Sequence, residues 1–298
     1  MPSQPPAHET GKVWFITGTS TGLGRALARE VIAVGDRLVA TARDTTTLSD
    51  LVALAPERVH AVPLDVTEPA AVRDAVAIAL KEFGRIDVLV NNAGYALRGA
   101  VEELSDADLR RQFDTNVFGA LDVTRAVLPT MREQRSGCIV QMSSVGGVMA
   151  TLGGTAYAGT KFALEGLSEG LAAEVAHLGI HVVIVEPGPF RTDFSGRSVR
   201  FADPIEDYRP ALDPAKKQFL AMHGTQPGDP ARAARAIITA TQMDKPPLRL
   251  PLGANAIDRI RERLQLRLKE VDTIEQLGRP TDFTATTGDG AGREADES

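Results

Sequence analysis

Short runs of consecutive apolar residues alternate along the chain with longer stretches of helical period. Val13–Thr17, Arg37–Ala42, Val59–Leu64, Ile86–Asn91, Cys138–Met142 and His181–Glu186 are rich in Val and Ile. Most are apolar on successive positions, whereas a strand with one wet face would alternate. The pattern therefore predicts strands covered on both faces. Between them, Gly22–Val34, Thr46–Ala55, Pro69–Phe83, Ala107–Arg132 and Thr155–Leu178 have helical length and composition. Strand and helix in strict alternation require parallel strands joined by right-handed crossovers, an α/β doubly wound sheet in three layers.

After Pro187 the pattern loosens. Thr192–Asp229 carries several prolines and both charge signs, and it reads as a long loop of the kind that forms lids or binding loops. Pro230–Met243 predicts a further helix and Leu248–Leu252 a seventh strand. Ala256–Leu277 predicts an amphipathic helix with charges of both signs, a solvated packing helix. The expected organisation is a flexible tail over 1–11, one domain over 12–253 with its lid region at 193–229, a helical extension over 254–283 and a disordered tail over 284–298.

Composition changes this picture little. At 298 residues, 43% hydrophobic and 24% charged, the chain can bury a substantial core. The net charge of −6 offers no basic stripe for nucleic acid. No apolar run reaches the ~18 residues that span a bilayer. Cys138 is the only cysteine, so an internal disulfide is excluded and a cytoplasmic protein is expected; within Cys138-Ile139-Val140 it reads as a small buried hydrophobe.

The chemistry begins at Thr17-Gly18-Thr19-Ser20-Thr21-Gly22-Leu23-Gly24, which follows the first strand and opens the first helix. Gly18 permits the tight turn, Gly22 lets backbone approach a pyrophosphate, and Gly24 lets helix pack close to strand. The N–H groups of the helix start then face the anion. Two further motifs follow in order: Asn91-Asn92-Ala93-Gly94 after the fourth strand, and Tyr157-Ala158-Gly159-Thr160-Lys161 in the helix after the fifth. With its Gly-x3-Gly-x-Gly spacing, the chain from about Lys12 to Leu252 resembles the classical branch of the short-chain dehydrogenase/reductase family. The resemblance implies a single Rossmann-type domain with a mainly parallel seven-stranded sheet, and hydride transfer between a nicotinamide cofactor and a carbonyl or secondary alcohol.

At the end of the second strand, Thr41-Ala42-Arg43-Asp44, an NAD site needs a carboxylate for the ribose 2′-hydroxyl and an NADP site a cation for the 2′-phosphate. Asp44 lies 20 residues after Gly24, but the resemblance places the discriminating acid at Ala42. With no acid at Thr41 or Ala42, Arg43 is free to pair with a 2′-phosphate. NADP(H) is therefore the expected cofactor, with NAD(H) as the lesser option, and Asp44 reads as a cap for the next helix. Where some NADP-using relatives carry a base in the glycine loop, this chain has Thr21. The resemblance extends the cofactor set to Ser20, Leu23, Asp65 and Val66 at the adenine side, Asn92, Ala93 and Gly94 after the fourth strand, and Pro187, Gly188, Phe190 and Thr192 at the nicotinamide end.

Tyr157 and Lys161, at i and i+4, share one helix face. A free tyrosine, with pKa about 10, is a poor base at neutral pH. Lowering it by about 3 units requires about 4 kcal/mol, which one ammonium about 4 Å away supplies at an effective dielectric near 20. No metal is required. The resemblance makes Ser144, thirteen residues before Tyr157, the residue that binds the substrate oxygen, in preference to Ser143. It makes Asn116 the residue that holds a helix kink and a water leading protons to the lysine. Tyr95, Val145, Gly146, Val148, Phe190 and Phe194 are expected to line a mainly apolar substrate pocket, with room beside Ser144 at Gly146 and Gly147 for a bulky lipophilic substrate. A non-catalytic NADP(H)-sensing regulator and an epimerase or dehydratase of the sister branch are the alternatives. Relatives pair through helices equivalent to Ala107–Arg132 and Thr155–Leu178, which implies a homodimer or homotetramer.

Overall fold

The computed structural model describes residues 11–283; the two expected tails, apart from Gly11, lie outside them. The first strands and helices follow the predicted order. They are β1 Val13–Ile16, α1 Gly22–Ala33, β2 Arg37–Ala42, α2 Ser49–Leu54, β3 Val59–Pro63, α3 Pro69–Phe83, β4 Val88–Asn91 and β5 Ala96–Arg98. The middle of the chain forms α4 Asp106–Phe113, α5 Gly119–Gln134, β6 Gly137–Met142, α6 Thr155–Val175, β7 Ile180–Pro187 and β8 Val199–Phe201. It closes with α7 Arg209–Ala221, α8 Pro230–Gln242, β9 Arg249–Leu252 and α9 Ala254–Gly278.

The main sheet has seven parallel strands in the order β3-β2-β1-β4-β6-β7-β9. The order reverses between β1 and β4, where open α/β sheets bind ligands beyond the carboxyl ends of their strands. The strands of this sheet other than β9 divide their apolar residues between two cores. Trp14, Ile16, Val88, Val90, Val140 and Val183 face one side, with Leu27 and Ile237. Phe15, Leu89, Ile139, Val182 and Ile184 face the other, with Val76, Val127 and Met131. Consecutive apolar positions are thus the signature of a sheet roofed on both sides. Helix ends carry the expected signals: Pro69 opens α3 and left-handed Gly84 closes it, while the Asp229 carboxylate accepts the Ala231 and Arg232 N–H groups at the start of α8.

Three details depart from the sequence expectation. The expected helix Ala107–Arg132 is interrupted by a π turn at Asp114–Phe118. Strands β5 and β8 form a separate parallel pair. The expected loop Thr192–Asp229 contains α7, which buries none of its residues fully and therefore has no apolar stripe to betray it. Contacts divide the chain into two compact units, Met1–Ile260 and Arg261–Ser298. In the second unit α9 runs on to Gly278 and ends in a 3-10 turn at Arg279–Thr281. Among the described residues, no helix is long and apolar enough to cross a membrane.

Candidate active site

The carboxyl ends of β1, β4, β6 and β7 open into one cavity of about 1150 Å³. Gly18 (φ +71°) and Gly22 (φ +64°) occupy the left-handed region, so the turn after β1 needs both of them. A Cβ on Gly24 would lie 2.6 Å from the Gly18 carbonyl and closer still to Asn92 Nδ2. Asn92 ties this turn to β4: its Nδ2 donates to the Thr17 and Gly18 carbonyls, each at 2.9 Å. The Asn92 and Ala93 N–H groups both donate to Thr17 Oγ1. Thr21 makes no side-chain cap on α1, whose first turn carries no acid. The helix start is left open to an anion, and Gly22 faces Thr192 across the gap, with Thr192 Cβ 4.0 Å from its Cβ position.

Gly18, Ser20, Thr21, Gly22, Leu23, Arg43, Asp65, Val66, Asn92, Ala93, Gly94, Pro187, Gly188 and Thr192 all line the cavity. Gly24 stands behind its wall. At the rim Asp44 turns its carboxylate back onto Thr46, accepting from its N–H at 3.0 Å and its hydroxyl at 2.7 Å. Those two hydrogen bonds hold the Asp44 carboxyl below its usual range and confirm it as a cap. Arg43 is exposed. Asp65 accepts from the Thr67 N–H and hydroxyl, so it closes a turn while lining the cavity.

At the other end of the cavity, Tyr157 and Lys161 project from the first two turns of α6. Lys161 is 6% exposed and donates from Nζ to the Met142 carbonyl at 2.6 Å; its Nζ lies 5.6 Å from the centre of the Tyr157 ring. Ser144 Oγ accepts from the Gly146 N–H at 3.0 Å, which leaves its own proton to donate. From the point where a Gly146 Cβ would sit, Ser144 Oγ is 3.4 Å away and the edge of the Tyr157 ring 3.2 Å. The Ser144 hydroxyl also lies within hydrogen-bonding reach of the Tyr157 phenol, and a side chain larger than that of Gly146 would press on both residues. Ser143 faces away from them, towards Glu165, in the space behind Gly147.

Burial works against the expected lowering of the Tyr157 pKa. Burial pushes the phenol up to about 12, with the Ser144 hydroxyl pulling the other way. The same burial draws Lys161 down to about 8, against the pull of Glu165. Desolvation disfavours the charged form of both groups, and it depends on burial rather than on the i, i+4 spacing.

Asn116 sits in the π turn, 2% exposed, outside the cavity lining. Its amide clamps the backbone of Tyr95, accepting from the N–H at 3.1 Å and donating to the carbonyl at 2.9 Å. It also donates to Thr160 Oγ1 at 3.1 Å. Tyr95, Val145, Gly146 and Phe194 line the cavity as expected, and Phe194 packs its ring 5.6 Å from that of Tyr157. Phe190 only reaches the wall: it is 8% exposed and buries its ring against Gly228. Val148 packs beneath, with Val145, Ala256 and Ile260. Sequence reasoning missed Arg98, Met149 and Leu152, and the Ser195, Arg200, Phe219 and Met222 wall supplied by the segment taken for a loop.

Behind Lys161 lies a buried acidic pair. Arg249 Nε is 3.3 Å from Glu165 and 3.8 Å from Glu186, while its Nη2 pairs with Glu169 at 2.6 Å. Glu186 is 1% exposed; burial, then the Glu165 charge, raise its pKa to about 7, against the pull of Arg249. In the unfolded chain a glutamate titrates near 4.3. Stability is therefore highest below the unfolded value and is lost as pH rises through about 7, by at most ~4 kcal/mol. Glu186→Gln removes this penalty. Urea unfolding should give a gain of ~1–2 kcal/mol at pH 8 and little at pH 5; equal gains at both pH values would refute the buried-charge account.

Residues 12–202 match the short chain dehydrogenase family. The chain is 40% identical over 248 residues to the oxidoreductase BOA17 of Botryotinia fuckeliana, covering 83% of this chain and 90% of that protein. It is similar to a crystal structure of a short-chain dehydrogenase from Streptomyces avermitilis, with TM-score 0.87 and 46% identity over 92% of this chain and 100% of that one. A short chain dehydrogenase/reductase from Burkholderia phymatum in complex with NAD matches with TM-score 0.76 and 25% identity, covering 94% and 99% of the two chains. A serine dehydrogenase complexed with NADP+ matches with TM-score 0.70 and 27% identity, covering 80% and 94%. The chain therefore belongs to the short-chain dehydrogenase/reductase family of NAD(P)-dependent oxidoreductases.

Proposed function

We propose that this oxidoreductase uses NADP(H) to interconvert a ketone or aldehyde and an alcohol on a largely lipophilic substrate, with Tyr157 as the proton donor and acceptor. The observation that carries this reading is that the Ser144 hydroxyl lies within hydrogen-bonding reach of the buried Tyr157 phenol, with both residues lining the cavity. A carbonyl oxygen that enters beside these two groups can accept from the Tyr157 phenol and from the Ser144 hydroxyl, whose oxygen accepts in turn from the Gly146 N–H. In reduction the phenol gives its proton to that oxygen; in oxidation the phenolate takes it back. Lys161, fixed on the Met142 carbonyl, holds a positive charge beside the ring and favours the phenolate. Asn116 is a positioning residue: by clamping Tyr95 it fixes the loop between the cofactor and substrate ends of the cavity.

The glycine turn, whose conformation and close packing leave the α1 start bare, fits a pyrophosphate. The cofactor supplies the hydride and, when oxidised, a positive ring charge near Tyr157. Arg43 beside acid-free Thr41 and Ala42 supports the 2′-phosphate form. Exposed Phe118, Phe162 and Leu167, on the helices through which relatives pair, support a homo-oligomer.

The test is a spectrophotometric screen of ketones, aldehydes and alcohols with NADPH/NADP+ and NADH/NAD+ in parallel. The expected result is at least a tenfold preference for the phosphorylated cofactor in kcat/KM. Arg43→Ala should lower kcat/KM for NADPH by about tenfold, the scale of a charged hydrogen bond at an exposed site, and leave NADH nearly unchanged. Turnover with NADH alone would overturn the Arg43 assignment.

A further inference from the structure

We infer that the substrate is an acidic carbonyl compound, whose carboxylate is held by Arg98 while its carbonyl lies at Tyr157. This rests on the Tyr157 reading for the place of the carbonyl, and on Arg98 for the anion.

Arg98 ends β5 and lines the cavity. Its guanidinium is half-buried and makes no ion pair among the described residues. Nη2 donates to the Leu152 carbonyl at 3.0 Å, and the guanidinium lies 4.5 Å over the Phe219 ring, leaving Nη1 and Nε donors uncommitted. Burial is the sole influence on its pKa, which it pulls below the usual guanidinium range, with no carboxylate to offset the cost. The nearby carboxylate of Glu103 is spent on the backbone, accepting from Ala100 N–H at 2.7 Å and Ile205 N–H at 2.9 Å.

Two other arginines of this wall, Arg111 and Arg197, are neutralised by Asp108 and Asp193. Arg200, over the Tyr95 ring at 5.4 Å, makes no ion pair among the described residues, but its charge acts on Asp108. A chain with net charge −6 thus leaves the Arg98 guanidinium in its cavity wall without a carboxylate partner among the described residues. A partly desolvated cation without a partner costs free energy that a bound carboxylate recovers, and the planar fork suits that anion.

The position is right for a substrate end. Arg98 Nη1 lies 3.8 Å from where a Gly154 Cβ would be. Gly154 precedes Tyr157 by three residues, a rise of about 4.5 Å along α6. Leu152, Met149 and Phe219 supply apolar surface to the same cavity. A molecule with an anionic end, an apolar body and a carbonyl matches these surfaces.

The test uses the full chain loaded with NADPH, and compares 7-oxooctanoate with 7-oxooctanamide as substrates. Arg98→Met keeps the packing over Phe219 and removes the charge; Arg98→Lys restores the charge without the fork. The wild type should favour the acid by at least tenfold in kcat/KM, expressed in KM. Arg98→Met should bring that ratio within twofold of unity, and Arg98→Lys should recover part of it. Calorimetric binding of octanoate against octanamide should follow the same order without turnover. A ratio that Arg98→Met leaves unchanged, or equal binding of octanoate and octanamide, overturns the inference while the oxidoreductase reading stands. Charge-dependent binding lost in Arg98→Met, with no reduction of either substrate, would support the anion site and count against the Tyr157 reading.

Discussion

Tyr157→Phe should lower kcat by about a thousandfold, within the 10²–10⁴ range of a positioned general acid, while the Kd for NADPH changes less than twofold. The substitution removes one oxygen and keeps the ring that packs 5.6 Å from Phe194, so the fold should hold, with Tm within about two degrees of the wild type. The direction of reaction sharpens the test. With its pKa pushed up towards 12, Tyr157 is protonated throughout the neutral range and is ready to donate in reduction. Oxidation needs the phenolate, whose fraction rises about tenfold per pH unit below the pKa. Alcohol oxidation should therefore gain with rising pH while carbonyl reduction stays nearly flat, and Tyr157→Phe should abolish that contrast. Initial rates in both directions from pH 6 to 9 measure it. A variant within tenfold of the wild type at every pH would remove Tyr157 from the chemistry.

Much of the site is legible in the sequence because it is built at strand ends, where short motifs carry backbone constraints. Gly18 and Gly22 need left-handed conformations and Gly24 a close approach, so their spacing encodes a turn. The two-core sheet is legible for a similar reason, since Trp14 and Phe15, or Val88 and Leu89, can both be apolar only if both faces are covered. The substrate wall is different. Helix α7 carries Pro210 and Pro214 and buries no residue fully, so it lacks the stripe that periodicity detects. Strands β5 and β8 have three residues each, too few for a period. The π turn at Asn116 keeps a helical composition and differs only in its hydrogen bonding. The burial that raises the Tyr157 pKa is not legible either, because attraction can be read from spacing whereas desolvation depends on packing from distant segments.

Gly24→Ala should be the most damaging single methyl group in the cofactor turn. Helix propensity alone would favour alanine here, by about 1 kcal/mol, because Gly24 lies in α1 without a positive φ. Sterics decide the other way. The new Cβ would stand 2.6 Å from the Gly18 carbonyl and press on Asn92 Nδ2, the group that donates to both Thr17 and Gly18. Neither neighbour is the loose end of a flexible side chain. Overpacking costs about 1–3 kcal/mol, and each displaced buried hydrogen bond about 1 kcal/mol more. The net expectation is a loss of ~2–4 kcal/mol, with NADPH affinity reduced at least a hundredfold as Asn92 and the turn move apart. Gly22→Ala supplies the contrast. Its φ of +64° costs roughly 1–2 kcal/mol, but its Cβ meets nothing nearer than Thr192 at 4.0 Å. Urea unfolding of the cofactor-free protein should therefore rank Gly24→Ala as the less stable of the two. If Gly22→Ala proved equally unstable, or Gly24→Ala kept wild-type NADPH affinity by fluorescence titration, close packing on Asn92 would not be what shapes this turn.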